Sequence, residues 1–303
     1  MPRFLDKCGH GNIRIFYRNP KMLIAFILVG GVSFAPAQIE SGTVIIVGVA
    51  KDKIVVAADS RESTDAGVYG DKGCKITALN DKLIFGAAGL TKFLPIGGIV
   101  GWDVVRDARA ALADIKIRDR DNPGDFMGRV ASNFGARART NISKSFPRNL
   151  IPGLVDNKVL VGGYFIGSDE VGNLTIFEVF VREKIKDGSR GFGFTTTKIV
   201  ASKEAIYFTN IGESDVFDEF VAGKSQRSLV WRQQIRTYAR QHGIADIDMA
   251  EAMMLVDLTG SYGQEKVSDR STVQLVGGPT DAIELRRGKG VQWVQRKPNC
   301  PQQ

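Results

Sequence analysis

Two apolar runs, T-V-I-I-V-G-V-A at 43–50 and K-I-V-V-A-A-D-S at 53–60, stand two residues apart and constrain this chain more than any other feature. Their interiors are almost wholly β-branched or small and apolar, so the period-two alternation of a strand with one wet face is missing. Strands of that composition need apolar cover on both sides. Lys51-Asp52 between them predicts a tight hairpin. The runs at 75–80 and 82–88 repeat the pattern around Asn80-Asp81 and predict a second hairpin.

The remaining punctuation extends this start into a layered fold. Apolar residues recur at helical spacing over 101–115 and 126–142, so two helices follow the four strands. Strands are expected at 158–166 and 174–181, joined through G-S-D-E-V-G-N, with a further strand pair near 192–201. Helices at 215–221, 229–242 and 248–258 precede a last strand pair at 272–276 and 282–285, and 287–303 reads as a polar tail. Strands, helices, strands, helices, strands is the order of an α+β, four-layer αββα sandwich with antiparallel sheets. With no internal repeat, low-complexity segment or linker, 43–286 reads as one domain. A chain of 303 residues with 43% hydrophobic and 24% charged residues can bury a core of that size.

Residues 1–37 have a different character. Arg14 to Lys21 is basic, Met22 to Val32 is almost wholly apolar, and Ala35-Pro36-Ala37 offers a small-x-small site for signal peptidase after Ala37. Met22 to Ala37 is 16 residues, short of the roughly 20 needed to cross a bilayer. The segment is therefore expected to export the chain to a periplasmic or extracellular space, with Met1 or Met22 as the start and with no stable membrane anchor. It carries +4 of the net charge of +8, which leaves a mild excess over the rest and no basic stripe interleaved with aromatics. Nucleic acid is not an expected partner. Three cysteines (Cys8, Cys74, Cys300) fit no zinc spacing, and Cys74 with Cys300 allows at most one bridge. With only His10 and His242, a histidine-based triad or metal site has little to draw on, and no cofactor or metal is expected.

The stretch from Gly42 to Leu90, with K-D-K-I-V-V-A-A-D-S-R, the G-C-K-I step and F-G-A-A-G-L, resembles the N-terminal part of a proteasome-type β subunit, a member of the N-terminal nucleophile hydrolases. In that family a propeptide ends in Gly and autolysis exposes a Thr, which matches Gly42-Thr43 and makes 38–42 a short propeptide. The resemblance implies an acidic residue at Asp59, an arginine at Arg61, a catalytic lysine at Lys75 and an oxyanion-hole glycine at Gly89. They lie 16, 18, 32 and 46 residues beyond Thr43, in one register without a gap. It also implies that Glu62, Gly73 and Ala87 border the pocket for the residue before the scissile bond. Gly and Ala would leave that pocket roomy, and Glu62 would attract a basic side chain.

Chemistry explains the residue types. A threonine hydroxyl needs a base, and a free α-amine, with a pKa of about 7.7 to 8.0, is neutral often enough to serve. Only an N-terminal threonine carries both groups. A nearby lysine favours the alkoxide, and an aspartate beside that lysine keeps it charged and oriented.

The later half matches the family less well. The family's Gly-Ser-Gly element falls nearest Gly212-Glu213-Ser214, so a Glu stands at the serine position or Ser214 has slipped by one. Its Asp-x-x-Ser-Gly pattern falls on Glu265-Lys266-Val267-Ser268 followed by Asp269. Ser214, Glu265 and Ser268 are thus expected as supporting residues. On the first strand Val47 occupies a position usually held by glycine, and Gly48 follows.

The expected function is an exported, threonine-dependent peptidase or amidohydrolase that cuts before Thr43 and works through an acyl-enzyme. The alternative is a non-catalytic assembly or binding module of the same fold. Its partners would be a peptide or amide substrate and, by resemblance, further copies of the chain in an oligomer or ring.

Overall fold

The computed structural model describes residues 39–40, 43–64, 67–93, 101–115, 126–145, 157–168, 172–186, 189–200, 207–270, 276–298 and 300. The expected signal segment lies outside them, as do Ala37 and Gly42. The described residues belong to one compact unit within Ala37–Gln303.

The strands in chain order are β1 (Ile39–Glu40), β2 (Val44–Val49), β3 (Lys53–Ala58), β4 (Glu62–Thr64), β5 (Gly67–Gly70), β6 (Ile76–Asn80), β7 (Leu83–Gly89), β8 (Lys92–Phe93) and β9 (Trp102–Asp103). They continue as β10 (Val159–Ser168), β11 (Leu174–Lys186), β12 (Ser189–Val200), β13 (Tyr207–Gly212), β14 (Asp281–Arg286) and β15 (Gly290–Gln295). Among the described residues there are five helices: α1 (Val104–Asp114), α2 (Phe126–Ser145), α3 (Asp215–Ala222), α4 (Gln226–Gln241) and α5 (Ile247–Arg270).

The protein is a mixed α+β structure around two five-stranded antiparallel sheets, ordered β13-β2-β3-β14-β15 and β12-β11-β10-β7-β6. Period-two alternation sorts each apolar run into two faces. From β2 and β3, Ile45, Val47, Ile54 and Val56 enter a core shared with Ile84, Tyr164 and Ile166 of the other sheet. Their alternates Val44, Ile46, Val55 and Ala57 pack against Val216 and Phe217 of α3 and Met249 and Met253 of α5. On the far side, Phe85, Phe165 and Val179 meet Ala108 of α1 and Val130 and Phe134 of α2. Rings of Phe85, Phe134 and Phe165 lie 4.8 to 5.3 Å apart in tilted and edge-on pairs, a geometry that adds to simple burial. Three cores thus separate a helix layer, two sheets and a second helix layer. That is why the runs at 43–50 and 53–60 carry no polar face.

Several details differ from the sequence expectation. The region near 192–201 is one long strand, β12, paired with β11, and β13 crosses to pair with β2. The last helix continues to Arg270 instead of ending near Leu258. The partners of β14 are β3 and β15, while the expected strand at 272–276 falls almost wholly outside the described residues. The polar tail is a correction: 290–295 forms β15, and Lys297 and Cys300 are buried. The polar alternation of G-V-Q-W-V-Q is that of an edge strand with one face in water, and it lacks the apolar run that marks the central strands.

Candidate active site

The site is built where β2 begins and β3 ends in one sheet, beside the start of β6 in the other. Thr43 directly precedes β2 and is 1% exposed. Its carbonyl accepts the Glu213 N–H at 3.0 Å, so the Gly212-Glu213-Ser214 segment does lie against it, by backbone contact. Gly212 is forced there: its φ is +101°, and a Cβ would stand 1.7 Å from the Thr43 carbonyl oxygen. Ser214 follows as the N-cap residue of α3, without a side-chain cap bond.

Asp59, just past β3, is fully buried. One carboxylate oxygen accepts the Val44 N–H at 3.0 Å, and the other accepts the N–H groups of Arg61 at 3.0 Å and Gly277 at 3.2 Å. Burial pushes its pKa up to about 6, against the opposing pull of the Lys75 charge and the three backbone donors. Lys75 is 5% exposed. Its carbonyl accepts the Ala87 N–H at 3.1 Å, which seats it beside β7. Asp59 therefore holds the peptide that follows Thr43 while lying in the field of the Lys75 ammonium.

Arg61 acts on this geometry from behind. It donates to both oxygens of Asp71, at 2.7 and 3.0 Å, the bidentate geometry that fixes both partners. A Cβ at Gly277 would lie 2.8 Å from the guanidinium carbon. Glycine at 277 thus lets Arg61 cross the loop that donates to Asp59. Gly89 ends β7 at φ +84°, with its missing Cβ 2.5 Å from the Leu160 carbonyl oxygen, so only glycine fits.

A cavity of about 530 Å³ opens at Lys75, while Asp59, Arg61 and Gly277 line a separate, smaller one of about 240 Å³. Lys75, Glu62, Gly73 and Ala87, singled out from the sequence, all line the larger one. Gly73 is small for cause, because a Cβ would meet the Glu62 side chain at 2.8 Å and the Lys75 side chain at 3.2 Å.

Glu265 and Ser268 lie in the last turns of α5, and their side chains are outside the described residues. Among the described residues no cluster of three or more His, Cys, Asp or Glu is arranged to hold a metal ion, and no helix is long and apolar enough to cross a membrane.

Sequence reasoning missed the bracing from the C-terminal side. Cys74 and Cys300 form a disulfide across 226 residues, with Cα atoms 5.6 Å apart. Next to it the buried Lys297 ammonium pairs with Asp281 at 2.8 Å and donates to the Gly73 carbonyl. The segment 73–75 that presents Lys75 is therefore tied down by residues more than two hundred positions away. The cysteine pair was the one signal in the sequence that pointed there. No protein-family model matches the chain, and no curated protein matches it.

Proposed function

We propose that this chain is an exported threonine hydrolase of the N-terminal nucleophile type, in the αββα sandwich of proteasome-like subunits, cutting peptides or related amides. The observation that carries the reading is Asp59: a buried carboxylate bonded to the Val44 N–H, within the field of Lys75, whose side chain lines a cavity of substrate size. Perturbed acids beside a cleft are where catalysis concentrates. The Cys74–Cys300 bridge supports export, since such bonds persist in oxidising compartments.

In the intact chain the Thr43 nitrogen is held in the Gly42-Thr43 peptide bond. Once that bond is cut, the freed amine takes the proton of the Thr43 hydroxyl as its oxygen attacks the substrate carbonyl carbon. Lys75 lowers the energy of the developing alkoxide, and Asp59 keeps Lys75 charged. The Gly89 N–H stabilises the oxyanion, a contribution of about 3 to 4 kcal/mol at comparable sites. As the C–N bond breaks, the leaving amine takes the proton back from the threonine ammonium. Water then attacks the ester, releasing the acid and restoring the hydroxyl.

The alternative of a non-catalytic module of the same fold draws on the Gly212-Glu213-Ser214 segment, where either Glu213 replaces the family's supporting serine or Ser214 has slipped by one. The deciding experiment is intact mass and N-terminal sequencing of protein recovered from an exporting host. A chain starting at Thr43 is the expected result, and one that keeps residues 38–42 overturns the catalytic reading.

A further inference from the structure

The cavity beside Lys75 has a charge pattern that the sequence expectation did not anticipate. Glu62 had suggested a preference for basic side chains, but Lys72, Lys92, Arg106 and Arg109 line the same space, and the one further acid there is Asp103. Asp103 is already committed, because its carboxylate caps α1 by accepting the Arg106 N–H at 2.9 Å. The cations come from three separate elements: Lys72 from the turn ahead of β6, Lys92 from β8, and Arg106 and Arg109 from α1. At i and i+3 the two arginines share a helix face.

That face is held in place from behind. Asp107 of α1 is buried and accepts from the Trp102 indole at 2.6 Å and from Asn141 of α2 at 2.8 and 2.9 Å. With Asp107 anchored inward, α1 cannot turn to carry Arg106 and Arg109 away from the cavity. Lys75 contributes a further positive charge at the inner end, where its field is shared with Asp59. The lining is thus net positive even after both acids are counted.

We infer that the cavity takes an acidic side chain, so that the substrates are peptides or amides of aspartate- or glutamate-like acids with the carboxylate lying among Lys72, Lys92, Arg106 and Arg109. This rests on the proposed hydrolase reading for the reaction but not for the binding, because the cavity and its charges exist whether or not Thr43 reacts. The chain's own processed segment is compatible with such a lining: the β1–β8 register places Glu40 opposite Lys92.

The test separates the two. Short acetylated peptide amides that differ only in a terminal Glu, Leu or Lys are titrated into the full chain by calorimetry or fluorescence anisotropy. Binding at least roughly tenfold tighter for Glu than for Lys is expected, as several partly exposed charge pairs each contribute a factor of a few. Raising ionic strength should erode that margin. Equal binding, or tighter binding of Lys, overturns the inference. Lys72→Glu with Arg109→Glu, both at exposed positions, should reverse the order, and an unchanged unfolding midpoint shows that the fold survives. In parallel, matched peptidyl vinyl sulfones with Glu, Leu or Lys before the warhead report the adduct on Thr43. Binding selectivity without any adduct overturns the nucleophile reading and leaves the acidic preference standing. Adducts formed fastest with Lys overturn the preference and leave the nucleophile.

Discussion

Strand β3 carries a charged cluster at each end, and the two obey opposite rules. At its start, Lys53 reaches Asp246 at 2.5 Å and Asp248 at 2.7 Å, and Arg286 joins Asp246 and Glu284 at 2.8 Å each. Burial pushes the Asp246 carboxyl up, but the Lys53 ammonium and the N–H groups of Met249 and Asp248 outweigh it, and the group ends below its ordinary value. At the other end Asp59 is fully buried, and despite the charges of Lys75 and Arg61 it ends above its ordinary value. The first cluster is a partly buried ion set that pins a loop to a strand. The second holds a carboxylate where charge is costly, an arrangement that stability alone does not favour. Two ends of one strand thus separate a structural ion set from a candidate reaction centre.

The hardest test of that contrast removes the nucleophile. Thr43→Ala should abolish both the cut before residue 43 and all turnover while leaving the unfolding midpoint within a degree or two, as read by mass spectrometry and a peptide panel. Wild-type turnover in that variant would eliminate Thr43 as the nucleophile. Lys75→Ala comes next, with turnover falling on the order of 10²–10³-fold, the scale of one lost transition-state stabiliser. By contrast, Lys53→Met should leave kcat/KM unchanged and cost only about 1 kcal/mol in denaturant melts, since the ion set is partly solvated and screened.

The bracing of Lys75 can be broken separately. Cys74→Ser with Cys300→Ser should cost about 2–5 kcal/mol of stability, measured by urea unfolding. If the bridge also positions Lys75, kcat should fall more than KM changes.

The pH profile gives the smallest and finest effect. A carboxyl whose folded pKa is raised binds its proton more tightly in the folded state, so ionising Asp59 costs stability as pH rises from about 4 to about 6. Asp59→Asn should remove that component, and difference melts between pH 4 and 7 would show it. Activity runs the other way, because Asp59 must be ionised and the Thr43 amine neutral. The logarithm of kcat/KM should fall with slope one below about pH 8, from the amine, and with slope two below about pH 6, from Asp59. A single slope down to pH 5 would remove Asp59 from the mechanism.

The strands of the two central hairpins were legible because burial on both faces leaves an unmistakable apolar run. Asp59, Lys75 and Gly89 were picked out by a resemblance and not by strand geometry; of the three, Asp59 is bonded to the peptide that follows Thr43. Once the chain leaves those strands, the apolar signal fails. Glu265 and Ser268 were placed by pattern alone, α5 ran on past its expected end, and β15 was read as tail because an edge strand with a wet face lacks the apolar signature.

By itself, then, the sequence determined local matters: doubly covered strands and tight turns at Lys51-Asp52 and Asn80-Asp81. Tertiary structure alone decided what depends on distant partners. It joined Cys74 to Cys300, set Lys297 on the Gly73 carbonyl, and swung Arg106 and Arg109 over the space that Glu62 had seemed to define. The reason is physical: burial and strand geometry act between near neighbours in the chain, whereas a pocket's field sums over every charge that the fold brings within a Debye length, about 8 to 10 Å at ordinary salt.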